Sequence, residues 1–406
     1  MTTSDSSAPS AETITSTPER HDLLGLTFAE LTELLTIWGE RPFRARQVAD
    51  WTYNSLAPDF DAMTNLPGSL RERLRAEASI DGPRVRTELV SKDGRTRKLL
   101  LELRDGRLIE TVLMLYPATS ESRARATVCV STEAGCAYGC TFCATGQMGF
   151  DRRLTAGEIV AQVVHCARDL RARPWSPPDG QRVERVTNLV FMGMGEPMHN
   201  YDYTLKAVRI LNMPEGLNLG ARHMTISTVG VAPGILRLAE EPEQVNLAIS
   251  LHAPNNAMRL QTMPITRKYP IEVVLDAVRT YIARTNRQVT FEYVLLAGVN
   301  DRPEHARELA GLLAPLRQLC HVNLIPVNRT AAAYLVPSGE AIRAFRDLLR
   351  AGGVSNSVRA ERGDDIAAAC GQLSTREQRR AAMGSSPKAQ LAHKAIAARP
   401  EDPAAT

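Results

Sequence analysis

No stretch of the 406-residue chain approaches the roughly 20 consecutive apolar residues that a membrane-spanning helix requires, so a membrane-embedded role is not expected. An apolar segment is also missing from residues 1–18, which are rich in Ser, Thr, Ala and Pro. That absence excludes a secretory signal and predicts a disordered N-terminal tail over residues 1–20. There is no long internal repeat. No strong charge excess exists either: 49 Lys and Arg against 45 Asp and Glu leave a net charge of +4, which permits a polyanionic partner without demanding one. The even cysteine set of a secreted disulfide scaffold is lacking. The seven cysteines are odd in number and partly clustered, which fits a reduced cytoplasm.

What is present is the apolar content of a protein that buries a core, in a length that suffices for one large α/β domain and a smaller one. Phe28, Leu31, Leu34, Leu35 and Trp38 recur at helical spacing. Phe43, Val48, Trp51 and Leu56 mark a second helix, and Leu70 to Ala78 a third, giving a small helical module over residues 21–80. Strand-like runs follow at Arg84 to Val90, Lys98 to Leu103 and Leu108 to Leu115, with Asp93-Gly94 as a hairpin signal. They form a β extension over residues 81–120.

From about residue 125 to 350 strands alternate with helices. Short apolar runs lie at Asn188 to Met192, Met224 to Ser227, Val245 to Leu251, Val289 to Leu296 and His321 to Pro326. Thr155 with Glu158 forms a capping box, and Pro270 and Pro303 open further helices. The rhythm predicts an α/β fold with a parallel sheet and outer helices, either open or barrel-like. In parallel barrels the chemistry gathers at the C-terminal ends of the strands. Beyond Leu373 the chain is polar and basic (Arg376, Arg379, Arg380, Lys388, Lys394), and residues 374–406 are expected to be a disordered, solvated tail.

Cys136, Cys140 and Cys143 stand in a Cys-x3-Cys-x2-Cys array with Phe142 before the last. Three thiolates hold three irons of a [4Fe–4S] cube and leave the fourth iron open to a substrate. Structural zinc is the plainer alternative, but such sites close with four ligands, and no fourth Cys or His follows at short spacing.

With Gly193-Met194-Gly195-Glu196-Pro197 behind a predicted strand, this array resembles the radical S-adenosylmethionine superfamily. Cys129 seven residues before Cys136, Ser250 to Asn255, Gly298 to Asp301, Arg362 to Ile366 and Ala369 to Leu373 narrow the likeness. Together they are similar to the RlmN-type adenine-C2 RNA methyltransferases over roughly residues 22 to 373. The resemblance implies a radical S-adenosylmethionine core over residues 121–373, a partial (β/α)6 barrel. It implies two S-adenosylmethionine molecules per turnover, substrates in 23S ribosomal RNA and beside the tRNA anticodon, a flavodoxin-like electron donor, a monomer and a cytoplasmic location.

It also implies roles. Cys370 accepts a methyl group from one S-adenosylmethionine. A second molecule yields a 5′-deoxyadenosyl radical that takes hydrogen from that methyl, and the carbon adds to adenine C2. Cys129 then releases the product by forming a disulfide with Cys370, and Glu110 accepts the C2 proton. Cosubstrate contacts fall on Gly195, Glu196, Ser227, Ser250, Leu251, His252 and Asn328. Val327 and Arg329 flank Asn328 where relatives carry an aromatic residue and a proline, and an inserted Thr119-to-Ser122 turn separates Glu110 from Cys129.

Plainer readings stand beside these. Cys129 in an apolar strand is otherwise a small buried hydrophobe, and Cys370 after three alanines could be helix packing. Cys166 and Cys320 read as structural. Arg84, Arg86, Arg95, Arg97 and Lys98 form a basic run suited to phosphate contacts beside the helical module, or merely solvated. The spacing leaves open methylation at adenine C8 and, in another class, a zinc-stabilised RNA-binding protein without catalysis.

Overall fold

The structure, a computed structural model, describes residues 20–120, 122–177, 182–328, 334–359, 363–368 and 371–373. The N-terminal and C-terminal tails named above lie outside the described residues, apart from Arg20.

The helical module holds α1 (Phe28–Ile37), α2 (Phe43–Ala49) and α3 (Gly68–Glu77). Thr27 and Glu30 close a reciprocal capping box at the start of α1, and Leu31 and Leu35 face the core. The helix α2 continues into one wider turn over Asp50–Asn54.

The β extension comprises β1 (Arg84–Val90), β2 (Thr96–Glu102) and β3 (Leu108–Tyr116), which pair antiparallel with one another and with β4 (Arg125–Cys129). The inserted turn lengthens the β3–β4 hairpin: Tyr116 faces Arg125, and Val112 faces Cys129. The basic run divides here. Arg84 and Arg86 lie exposed on the edge strand, whereas Lys98 is buried and Arg97 pairs with Asp169. A phosphate-contacting face made of all five residues is therefore corrected. Consecutive side chains take opposite faces of the sheet, and each face supplies an acid, Asp169 to Arg97 and Glu110 to Lys98.

The parallel part runs β4, β5 (Asn188–Phe191), β6 (Met224–Thr228), β7 (Asn246–Ser250), β8 (Val289–Leu295), β9 (Cys320–Pro326) and β10 (Asn356–Val358), each strand beside its predecessor. The crossovers carry α4 (Ala156–Ala172), α5 (Tyr201–Asn212), α6 (Ala232–Leu238), α7 (Asn256–Thr262) with α8 (Ile271–Thr285), α9 (Pro303–Leu313) and α10 (Gly339–Ala351). A strand order without reversal keeps right-handed crossovers on one face, so the sheet follows a barrel rather than a doubly wound plan. Six strand–helix units followed by a short seventh strand make the partial barrel that the family resemblance implies, where the rhythm alone left an open sheet as the alternative.

The helical module is fastened to α4 and α5. Arg168 Nη2 donates to Ala57 O at 2.6 Å, Arg171 Nη1 donates to Asn54 O at 2.6 Å, and Lys206 pairs with Glu30 at 2.8 Å. Among the described residues no helix is long and apolar enough to cross a membrane.

Candidate active site

The C-terminal ends of the parallel strands surround a half-open cavity. The loop after β4 contributes Phe142 and Cys143. The segment after β5 contributes Gly193, Gly195, Glu196 and Pro197. Ser227 and Thr228 come from β6, Ser250 and His252 from the end of β7, Glu292 and Val294 from β8, Asn328 from beyond β9 and Arg359 from beyond β10. Gly371, next in sequence to Cys370, also lines the cavity.

The sequence-predicted residues divide accordingly. Cys143, Gly195, Glu196, Ser227, Ser250, His252 and Asn328 share this cavity. Cys136 and Cys140 belong to the same loop but are not among the residues that line the cavity. Leu251 is sealed in the core, its N–H donating to Glu292 O at 3.1 Å. Cys129 ends β4 and is buried, as is Glu110 in β3. Glu110 pairs with the buried Lys98 at 3.4 Å, and Lys98 Nζ donates to Ala367 O at 2.9 Å. Cys370 lies outside the described residues, as do Arg329, Arg362 and Ala369.

The Gly-Glu-Pro segment is held by its surroundings. Gly195 has φ +99°, and a Cβ there would lie 2.5 Å from Glu133 Cβ, so only glycine fits. Glu196 is buried and accepts from Met198 N at 3.0 Å and Val229 N at 2.9 Å. Burial pushes its carboxyl up to about 7 despite those bonds. Glu133, which the sequence reading missed, accepts from Glu196 N at 3.1 Å and meets His199 Nδ1 at 2.6 Å. Its carboxyl is likewise pushed up to about 7 by burial. Two buried acids this close favour a cationic visitor.

His252 has φ +58°, and its ring meets Phe142 edge-on with centroids 4.9 Å apart. Val294 N donates to its Nδ1 at 3.0 Å, so Nδ1 carries no proton and the ring is neutral with its proton on Nε2. Burial, and next the charge of Arg259, lower its pKa to about 3. Glu292 is a second missed residue. It interrupts the apolar run Val289–Leu295, accepts from Asn323 Nδ2 at 2.9 Å, and has a pKa raised by burial. An acid inside a buried strand was the signal available in the sequence.

Two domain families match: residues 21–80 the ribosomal RNA large subunit methyltransferase N-terminal domain, and residues 179–310 the radical SAM superfamily. The chain is 51% identical over 363 residues to the probable dual-specificity RNA methyltransferase RlmN of Chloroflexus aurantiacus, covering 88% of this chain and 94% of that protein. It is 48% identical to the ribosomal RNA large subunit methyltransferase N of Nitrosopumilus maritimus, covering 87% and 98%. The crystal structure of a radical SAM methyltransferase from Sphaerobacter thermophilus aligns with TM-score 0.81 at 51% identity, covering 87% of this chain and 98% of that one. The chain belongs to the RlmN family.

Membership in this radical SAM family brings a [4Fe–4S] cluster and S-adenosylmethionine as cofactors. The donor set fits the cluster. Among the described residues no three His, Cys, Asp or Glu side chains are grouped closely enough to hold one metal ion, whereas tetrahedral zinc needs four donors within about 2.0–2.3 Å. A cube instead spreads its thiolates over separate irons. Burial raises the Cys136 thiol strongly and pushes the Cys140 thiol up to about 12. Both therefore stay protonated until a metal displaces the protons.

Proposed function

We propose that this RlmN-family chain methylates C2 of adenine in 23S ribosomal RNA and in tRNA next to the anticodon, with Cys370 carrying the carbon. The names of its relatives support RNA as the substrate. The observation that carries the Cys370 assignment is the anchoring of its flanks. Ala144 N donates to Gly371 O at 2.7 Å, and Thr145 Oγ1 donates to Leu373 O at 2.7 Å. The cysteine loop is thus stitched to the sequence that follows Cys370.

Cys136, Cys140 and Cys143 would hold three irons. When bound, the cluster supplies the electron that cleaves S-adenosylmethionine to a 5′-deoxyadenosyl radical. Glu196 offers a buried carboxylate to the ammonium of the cosubstrate, and Gly195 lets the backbone approach it. Ser227, Ser250 and Asn328 offer hydroxyl and carboxamide groups to its ribose and base, and the neutral His252 can donate from Nε2.

Cys370, as thiolate, takes a methyl group from one S-adenosylmethionine, and a second cosubstrate is then spent in removing a hydrogen atom from that methyl. The carbon bonds to adenine C2, the adduct returns the one electron spent in that cleavage, which the bound cluster would take back, and Glu110 accepts the C2 proton. Release falls to Cys129: its thiolate attacks the Cys370 sulfur, an S–S bond forms and the S–C bond breaks. The freed carbon keeps the bonding pair, takes a proton and becomes the methyl group. An external reductant then reopens the disulfide. Residues 21–80, fixed to α4, would contact RNA, and the target base must be splayed out to reach the cavity.

Mass spectrometry of nucleosides from RNA incubated with the protein tests this reading. 2-Methyladenosine supports it; 8-methyladenosine would replace it with the sister activity. An iron-free, zinc-retaining protein that leaves RNA unmodified would favour a binding role.

A further inference from the structure

Arg259, in α7, is the largest side chain wholly sealed inside the described protein, at 0% exposure, and no step above uses it. All five of its N–H donors are occupied. Nε donates to Leu251 O at 3.2 Å. Nη1 donates to Thr266 Oγ1 at 3.2 Å and to Tyr269 O at 3.1 Å. Nη2 donates to Val229 O at 2.6 Å and to Ser250 O at 3.3 Å. Every acceptor is neutral. No Asp or Glu among the described residues acts appreciably on its charge.

A buried, uncompensated cation is costly even when hydrogen-bonded. Burial accordingly lowers Arg259 to about 10, and Cys140, once a thiolate, would oppose that shift. The two are neighbours through the end of α7. Thr141 N donates to Thr262 O at 2.9 Å, and Cys140 packs in one apolar cluster with Met263 and Ile265. The guanidinium also grips the segments at the ends of β6 and β7, through Val229 and Ser250, which border the cavity, and through Leu251 behind them. One cation thus ties the cysteine loop to the cosubstrate-facing strand ends, and among the described residues no carboxylate accepts a hydrogen bond from it.

We propose that Arg259 is the fixed counter-charge of the iron–sulfur cluster, a positioning residue that favours the cluster's reduced form. The inference rests on the reading that Cys136, Cys140 and Cys143 hold that cluster. One-electron reduction adds one negative charge and takes up no proton. A nearby fixed cation stabilises the more negative form and raises the reduction potential.

The test uses the full chain reconstituted anaerobically with iron and sulfide, as wild type, Arg259→Lys and Arg259→Gln. Iron and sulfide content, circular dichroism and a redox titration followed by electron paramagnetic resonance are measured on each. Lysine keeps the charge and loses most of the hydrogen-bond fork; glutamine keeps some hydrogen bonds and loses the charge. The expected result is that Arg259→Lys loads and titrates with the wild type. Arg259→Gln should show a reduced-to-oxidised ratio about tenfold lower at a fixed poise, which is 59 mV for a one-electron couple, or should fold and stay empty. A loaded Arg259→Gln that titrates with the wild type overturns the proposal. So do equal shifts in both variants and failure of both to load, because these assign the residue to hydrogen bonding alone. A wild type that takes up no cluster would sink the cluster reading instead, before any variant is compared.

Discussion

His252 shows how one residue's surroundings fix its chemistry. Its Nδ1 accepts from a backbone N–H, and a protonated ring would set two N–H groups against each other. The folded-state pKa lies near 3, below the ordinary 6.5. The neutral ring is therefore favoured by folding, and its stabilisation is fully present above pH 6.5. As pH falls below 6.5 the unfolded chain takes up a proton that the folded chain refuses, and stability is lost at about 1.4 kcal/mol per pH unit down to about pH 3. Acid-titrated thermal unfolding of the apoprotein should show this limb, and His252→Asn should flatten it; an unchanged limb would mean that the ring titrates freely. Cys129→Ala should leave protein covalently joined to RNA, detected as a nuclease-trimmed adduct, whereas normal turnover by that variant would reduce Cys129 to packing. The cysteine array and Gly-Glu-Pro could be read from the sequence because their spacing is local. Glu133 and Arg259 could not, since their partners come from distant loops.

At the scale of elements, legibility followed length and capping. Thr155 and Glu158 announce α4, and the structure holds both halves of that capping box, with Arg152 bracing the glutamate at 2.7 Å. Thr155→Ala should cost about 1 kcal/mol, measured as a lowered denaturant midpoint with unchanged slope; a change in slope would point to a different folded state. The strand at Val289 and the helix at Pro303 were equally plain. By contrast α6 and α7 span seven residues each, too short to hold themselves together without tertiary contacts. The three-residue β10 exists only through its pairing with β9. The small hairpin of Glu133–Gly135 with Phe150–Arg153, which frames the cysteine loop, likewise has no sequence period to reveal it.

At the scale of the whole molecule, the sheet runs unbroken from the edge strand β1 to β10, and the helical module caps α4. The module therefore has a structural role beside the RNA contact proposed for it. Removing residues 1–80 should uncover apolar surface on α4 and lower the unfolding temperature, beyond any loss of RNA affinity; an unchanged melting curve would contradict this docking. RNA binding by the intact chain should weaken linearly in log–log dependence on salt, as phosphate contacts require. The alternation of strands and helices made the parallel sheet with outer helices legible, without deciding between an open sheet and a barrel. The burial of Lys98 against Glu110 was not, because a basic run gives no sign of which face each residue takes.

The relay itself is tested most directly by supplying S-adenosylmethionine with a trideuterated methyl group and weighing the methyladenosine formed. Passage through Cys370 removes one of the three deuterium atoms before the carbon reaches the base, so the account predicts a product methyl with two. A methyl that keeps all three would show direct transfer and contradict the role given to Cys370.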